Sequence, residues 1–144
     1  MNLTSVSTGG GYVTAQTQGD ATKNINVKNV VTLGGNVSLT SDNGSILRAA
    51  GASSPQIDTS IVGAGPLPKT VTLSAPNGSI GSSSLPTPIQ VKGAVTLDVN
   101  ARNDIAVDVA VTPLTNLYIK TAASGSGSVS VTNSNFAGLG VART

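Results

Sequence analysis

Two segments of this chain repeat one pattern. GNVSLTSDNGSI runs from Gly35 to Ile46 and KTVTLSAPNGSI from Lys69 to Ile80. Each reads aliphatic-x-Leu, a short polar span, Asn-Gly-Ser, then Ile. A further pair, INVKNVVTL (Ile25 to Leu33) and IQVKGAVTL (Ile89 to Leu97), matches at six of nine positions. Internal similarity at intervals of 20–50 residues is the mark of a stacked repeat, whose single units cannot bury their own apolar face. Within most units the aliphatics alternate with polar residues, as in Val71-Thr72-Leu73 and Val129-Ser130-Val131. That period of two describes a strand with one buried face. Leu3 and Val6 lie three apart, so they do not both face inward on one regular strand.

The spacing sets the lap length. Val71 to Val95 is 24 residues, Val95 to Leu117 is 22, and Val37 to Val71 is 34. The sequence therefore predicts an all-β chain, a right-handed parallel β-helix of about five coils of roughly 22–34 residues, with about three short strands per coil. It reads as a single segment, 1–144, and as a piece of a longer repetitive protein. Val37, Val71, Val95 and Leu117 should form one inward stack, with Leu39, Leu73, Leu97 and Ile119 beside it. Asn43-Gly44 and Asn77-Gly78 should occupy equivalent corners, with the positive φ that Asn-Gly favours; Asn103-Asp104 takes roughly that place one lap on. Gly9-Gly10-Gly11 reads as a turn. Ile57 reads as an inward aliphatic of the second lap, whereas the extra residues of the stretch from Arg48 to Lys69, with Pro55, Pro66 and Pro68, read as a loop or short extra strand leaving the wall. An antiparallel sandwich is the rival, but its strands recur every 8–12 residues and need not resemble one another.

Composition agrees. Charged residues are 10% and aromatics 2%, and all six acids are Asp. Scarce Glu and Lys disfavour helix, while Val and Thr suit pleated strands and Asn and Gly suit turns. The eight cations are scattered and not interleaved with aromatics, which argues against a nucleic-acid surface. No stretch approaches the roughly 20 apolar residues of a membrane-spanning helix, and Met1-Asn2-Leu3-Thr4 lacks the basic and apolar start of a signal peptide.

The motifs Gly35–Thr40 with Asn43-Gly44-Ser45-Ile46, Val71-Thr72-Leu73 with Asn77-Gly78-Ser79-Ile80, and Ala94–Leu97 with Asn103-Asp104-Ile105 resemble the repeats of filamentous-haemagglutinin-like exoproteins. These are large Gram-negative surface proteins exported by two-partner secretion. The resemblance runs from about Gly35 to Val131. It implies a right-handed parallel β-helix acting as a structural shaft or adhesive module, secreted or held at the outer-membrane cell surface, in cell adhesion, biofilm or virulence. The partners it implies are cell-surface receptors or glycans, engaged through other parts of the full-length protein. It transfers no functional residue, because the family's secretion-domain motifs are not evident here. Neither end resembles a capping repeat, so end-to-end self-association is a further expectation; Leu139 and Val141 still alternate near the C-terminus.

The alternative is a carbohydrate-binding or carbohydrate-processing β-helix. Glycoside hydrolysis needs two carboxyl groups across one sugar bond. Of Asp20, Asp42, Asp58, Asp98, Asp104 and Asp108, only the last three are near one another in sequence. Asp104 and Asp108, four residues apart on one strand, would stand about 13 Å apart, too far for either hydrolytic geometry. Tyr12, Tyr118 and Phe136 are few for a sugar cleft. With no His and no Cys, metal sites and catalysis that depend on them are excluded. The sequence thus predicts no enzyme activity, no cofactor, and no catalytic or metal-binding residue. Ser38, Thr72 and Thr96 read as one outward row, too short and mixed for a regular threonine face.

Overall fold

A computed structural model describes residues 1–19, 22–52, 54–61, 69–81, 88–110, 116–121 and 127–132. The chain winds as a β-solenoid with no helix among the described residues. The first coil holds β1 (Asn2–Leu3), β2 (Val6–Ser7) and β3 (Val13–Thr17); the second, β4 (Ile25–Val27), β5 (Val30–Val31) and β6 (Val37–Ser41). The third holds β7 (Ile46–Arg48), β8 (Ile57–Asp58) and β9 (Thr70–Ala75). Then come β10 (Ile89–Lys92), β11 (Thr96–Ala101), β12 (Ile105–Ala110), β13 (Asn116–Thr121) and β14 (Val129–Thr132).

Three walls result. The first is β1-β4-β7, continued through bridges from Ile46 to Ile80 to Ile105. The second runs β2-β5-β8-β10-β12-β14, and the third is the five-stranded sheet β3-β6-β9-β11-β13. Every pairing among the described residues is parallel, so like positions of successive coils stand about 4.8 Å apart. Leu3 and Val6 fall on separate strands of different walls.

Inward side chains stack in columns. On the third wall Val13, Val37, Val71, Leu97 and Leu117 form one column and Ala15, Leu39, Leu73, Val99 and Ile119 the next. On the first wall Ile25, Ile46, Ile80 and Ile105 stack and Val129 follows. All of these except Val129 and Ile119 are buried. The corner beyond the third wall is narrow, and its column is small: Thr17, Ser41, Ala75 and Ala101. The Thr17 and Ser41 hydroxyls both donate to the Lys23 carbonyl, so these buried polar groups are satisfied.

Three expectations are corrected. The stack runs through Leu97 and Val99, where the sequence reading has Val95 and Leu97; an even slip keeps aliphatics inward, so alternation alone does not detect it. Likewise Thr96 stands beside Thr70, and the row of Ser38 and Thr72 continues into Asp98. The nine-residue match is not a structural equivalence, since Ile25–Val27 is on the first wall and Ile89–Lys92 on the second. Within the stretch from Arg48 to Lys69, Ile57 is buried inward as expected, on a wall strand, β8, between β5 and β10; Pro66 and Pro68 lie outside the described residues, as do Val111, Leu139 and Val141.

Asn43-Gly44 and Asn77-Gly78 do stack, but not through positive φ, which is absent from both pairs. Glycine is needed there because a Cβ on Gly78 would stand 2.1 Å from the Gly44 carbonyl oxygen, and one on Gly44 2.4 Å from that of Lys23. The second corner repeats differently. The Thr8 hydroxyl donates to the Gly11 carbonyl and the Thr32 hydroxyl to that of Gly35, each at 2.7 Å, which makes the Gly9–Gly11 run a turn.

Candidate functional site

The polar residues at the corners have a shared task. One residue before each inward aliphatic of the first wall stands Asn24, Ser45, Ser79, Asp104 or Ser128. The Asn24 side chain accepts from the Ser45 amide at 2.9 Å, Ser45 Oγ from the Ser79 amide at 3.0 Å, Ser79 Oγ from the Asp104 amide at 3.3 Å, and Asp104 Oδ1 from the Ser128 amide at 2.9 Å. Beside this ladder Asn77 Nδ2 donates to Asn43 Oδ1, and Asn43 Nδ2 donates to the Gly19 carbonyl. Asn24, Ser45, Ser79 and Asp104 thus each take up a backbone amide that the corner turns away from the sheet ladder, while Asn43 and Asn77 donate. Asp104 is a corner residue of this kind.

The carboxylates are distributed, not convergent. Asp108 is buried on the second wall and accepts from Gln90 Nε2 and from the Thr132 hydroxyl, each at 3.0 Å. Asp58, on the same wall, pairs with Lys92 at 3.2 Å. Asp42 accepts weakly from Gln16, and Asp98 is exposed on the third wall. Asp20 lies outside the described residues. Among the described residues no three His, Cys, Asp or Glu side chains gather as a metal site.

The third wall is the broadest outward surface. Its outward rows are Thr14, Ser38, Thr72, Asp98 and Tyr118, and Gln16, Thr40, Ser74, Asn100 and Lys120. Neutral hydroxyls and amides dominate it. Tyr12 is 76% exposed and Tyr118 54%; Tyr12 directly precedes β3 and Tyr118 lies on β13, at opposite edges of the described sheet, and Phe136 lies outside the described residues. A shallow depression of about 310 Å³ beside Tyr12 is lined by Thr14, Asn36 and Ser38.

A second recess, which the sequence did not reveal, lies on the first wall. Asn2, Thr4, Asn26, Lys28, Leu47 and Arg48 line a notch of about 430 Å³. The register explains the convergence: Asn2 pairs with Asn26, Asn26 with Leu47, and Val27 with Arg48. Two cations 20 residues apart in sequence are thereby brought together. Aligning the laps on Ile25 and Ile46 would have found this.

No family model, curated protein or solved structure matches the chain.

Proposed function

We propose that the chain is a structural shaft or adhesive module of a large filamentous-haemagglutinin-like surface protein, secreted by a Gram-negative bacterium. The supporting observation is the third wall. Five parallel strands in continuous register make a stiff rod segment, and its outward rows of neutral hydroxyls and amides suit a spacer exposed to solvent. We take the winding as right-handed, the hand that parallel crossovers adopt. Side-chain ladders at the corners lock neighbouring coils together, as a fibre under tension requires. Receptors or glycans would be engaged elsewhere in the full-length protein, and copies could associate end to end through β3 and β13, the outer strands of the described sheet.

Antibodies raised against the chain provide the test. They should label intact, unpermeabilised cells of the source bacterium, and deletion of the segment should reduce attachment to surfaces. Labelling that appears only after lysis would refute the reading.

One observation favours a second reading, a carbohydrate-binding wall: the depression beside exposed Tyr12, where an aromatic ring adjoins hydroxyl and amide groups. Retention of a neutral glycan, lost in Tyr12→Ala, would support it. Catalysis would be indicated by polysaccharide turnover that Asp104→Asn or Asp108→Asn abolishes; we expect none.

A further inference from the structure

We propose that the notch on the first wall binds the carboxylate of an acidic sugar, a site beyond the shaft reading and independent of it. Lys28 and Arg48 are both half-buried at its edge. None of its described lining residues is acidic, and among the described residues neither cation forms an ion pair, the described pair being Lys92–Asp58. Arg48 donates to the Ala52 carbonyl through Nη2 alone, at a long 3.4 Å. The rest of its fork is left for a planar anion, which a guanidinium takes in bidentate fashion.

The remaining lining selects the kind of molecule that carries the anion. Asn26 Nδ2 donates to Asn2 Oδ1 at 2.8 Å. This fixes the pair and leaves the Asn2 amide nitrogen without a partner among the described residues. With the Thr4 hydroxyl, it supplies neutral groups suited to ring hydroxyls. Leu47 offers an apolar surface of the sort that the C–H face of a sugar covers. At about 430 Å³ the notch is within the usual size of small-molecule sites. A nucleic acid would need a longer run of cations and stacking aromatics, and neither tyrosine lines the notch. One carboxylate between two cations therefore fits the charge, and a sugar ring fits the rest.

The test is calorimetric titration of the whole chain with galacturonic acid, oligogalacturonate, neutral dextran and oligo-dT at low and high salt. Saturable binding of oligogalacturonate, weakening as salt rises, is expected. Parallel binding of the monomer would show that the free sugar acid suffices. Lys28→Gln and Arg48→Gln should each weaken binding by roughly tenfold or more, the least that a hydrogen bond to a charged group contributes. Arg48→Lys should fall between parent and Arg48→Gln, because it keeps the charge and loses the fork. Lys92→Gln, on another wall, should bind like the parent. Circular dichroism checks the fold of each variant; should Arg48→Gln unfold, Lys28→Gln and Arg48→Lys carry the comparison. The proposal is overturned if oligogalacturonate shows no saturable binding, if dextran or oligo-dT binds as tightly, or if folded Lys28 and Arg48 variants bind like the parent.

Discussion

Replacing Gly78 by alanine tests the stacking of the corners most directly. The added Cβ would meet the Gly44 carbonyl oxygen at 2.1 Å and its carbon at 2.6 Å. Both are backbone atoms, so no side chain can swing aside. The coils must part by more than about 1 Å to restore van der Waals distance. Five hydrogen bonds cross that boundary: Asn77 Nδ2 to Asn43 Oδ1 and to the Asp42 carbonyl, the Ser79 amide to Ser45 Oγ, the Ile46 amide to the Ser79 carbonyl, and the Gly81 amide to the Ile46 carbonyl. At about 0.5–1.5 kcal/mol net each, losing three destabilises by roughly 2–4 kcal/mol. Alanine restricts the unfolded chain and returns about 0.4–1 kcal/mol, so the expected net loss is roughly 1–3 kcal/mol. Gly9→Ala is the control, because its Cβ would meet nothing within 4 Å. Urea denaturation followed by circular dichroism gives the stabilities, and hydrogen exchange at Ile46, Ser79 and Gly81, whose amides bond across that boundary, gives the local effect. A Gly78→Ala chain within about 0.5 kcal/mol of the parent, with those amides still protected, would refute the argument.

Other substitutions probe the remaining layers. Leu73→Ala empties a fully buried site between Leu39 and Val99 and should lower unfolding stability by about 2–5 kcal/mol; a loss below about 1 kcal/mol would mean that the column collapses around the gap. Ser45→Ala removes the acceptor of the Ser79 amide and should destabilise by about 1–3 kcal/mol, with Ser45→Thr restoring most of it; equal stability of both variants would show that the ladder is dispensable. Lys92→Ala breaks a half-exposed ion pair and should change stability by less than about 1 kcal/mol, a difference that fades at high salt. A larger, salt-independent loss would show that the pair is bound up with the buried network of the wall.

Much of the architecture was legible because parallel stacking repeats chemistry as well as geometry. Gly35–Ile46 and Lys69–Ile80 look alike since Val37 stands on Val71 and Leu39 on Leu73. The fourth coil was harder. Val95, Leu97 and Val99 are all aliphatic at even spacing, so each offers an inward side chain and the sequence carries no preference among them. The match between Ile25–Leu33 and Ile89–Leu97 misled for a related reason, because strands of any wall share the demand for inward aliphatics. Of the candidate surfaces, the polar character of the walls was visible in the composition, whereas the notch formed by Lys28 and Arg48 was not.

By itself the sequence determined that the chain is β, that it winds in laps, and that aliphatics turn inward while neutral polar groups turn outward. Those properties are local, set by a period of two and by repeated corner residues. Only the tertiary structure decided which strand joins which wall, which aliphatic of the fourth coil stacks on Val71, and why glycine must stand at positions 44 and 78. These depend on what lies one coil away. Coils of unequal length place that neighbour at a sequence distance no local pattern encodes: 24 residues from Val13 to Val37, 34 from Val37 to Val71, and 20 from Leu97 to Leu117.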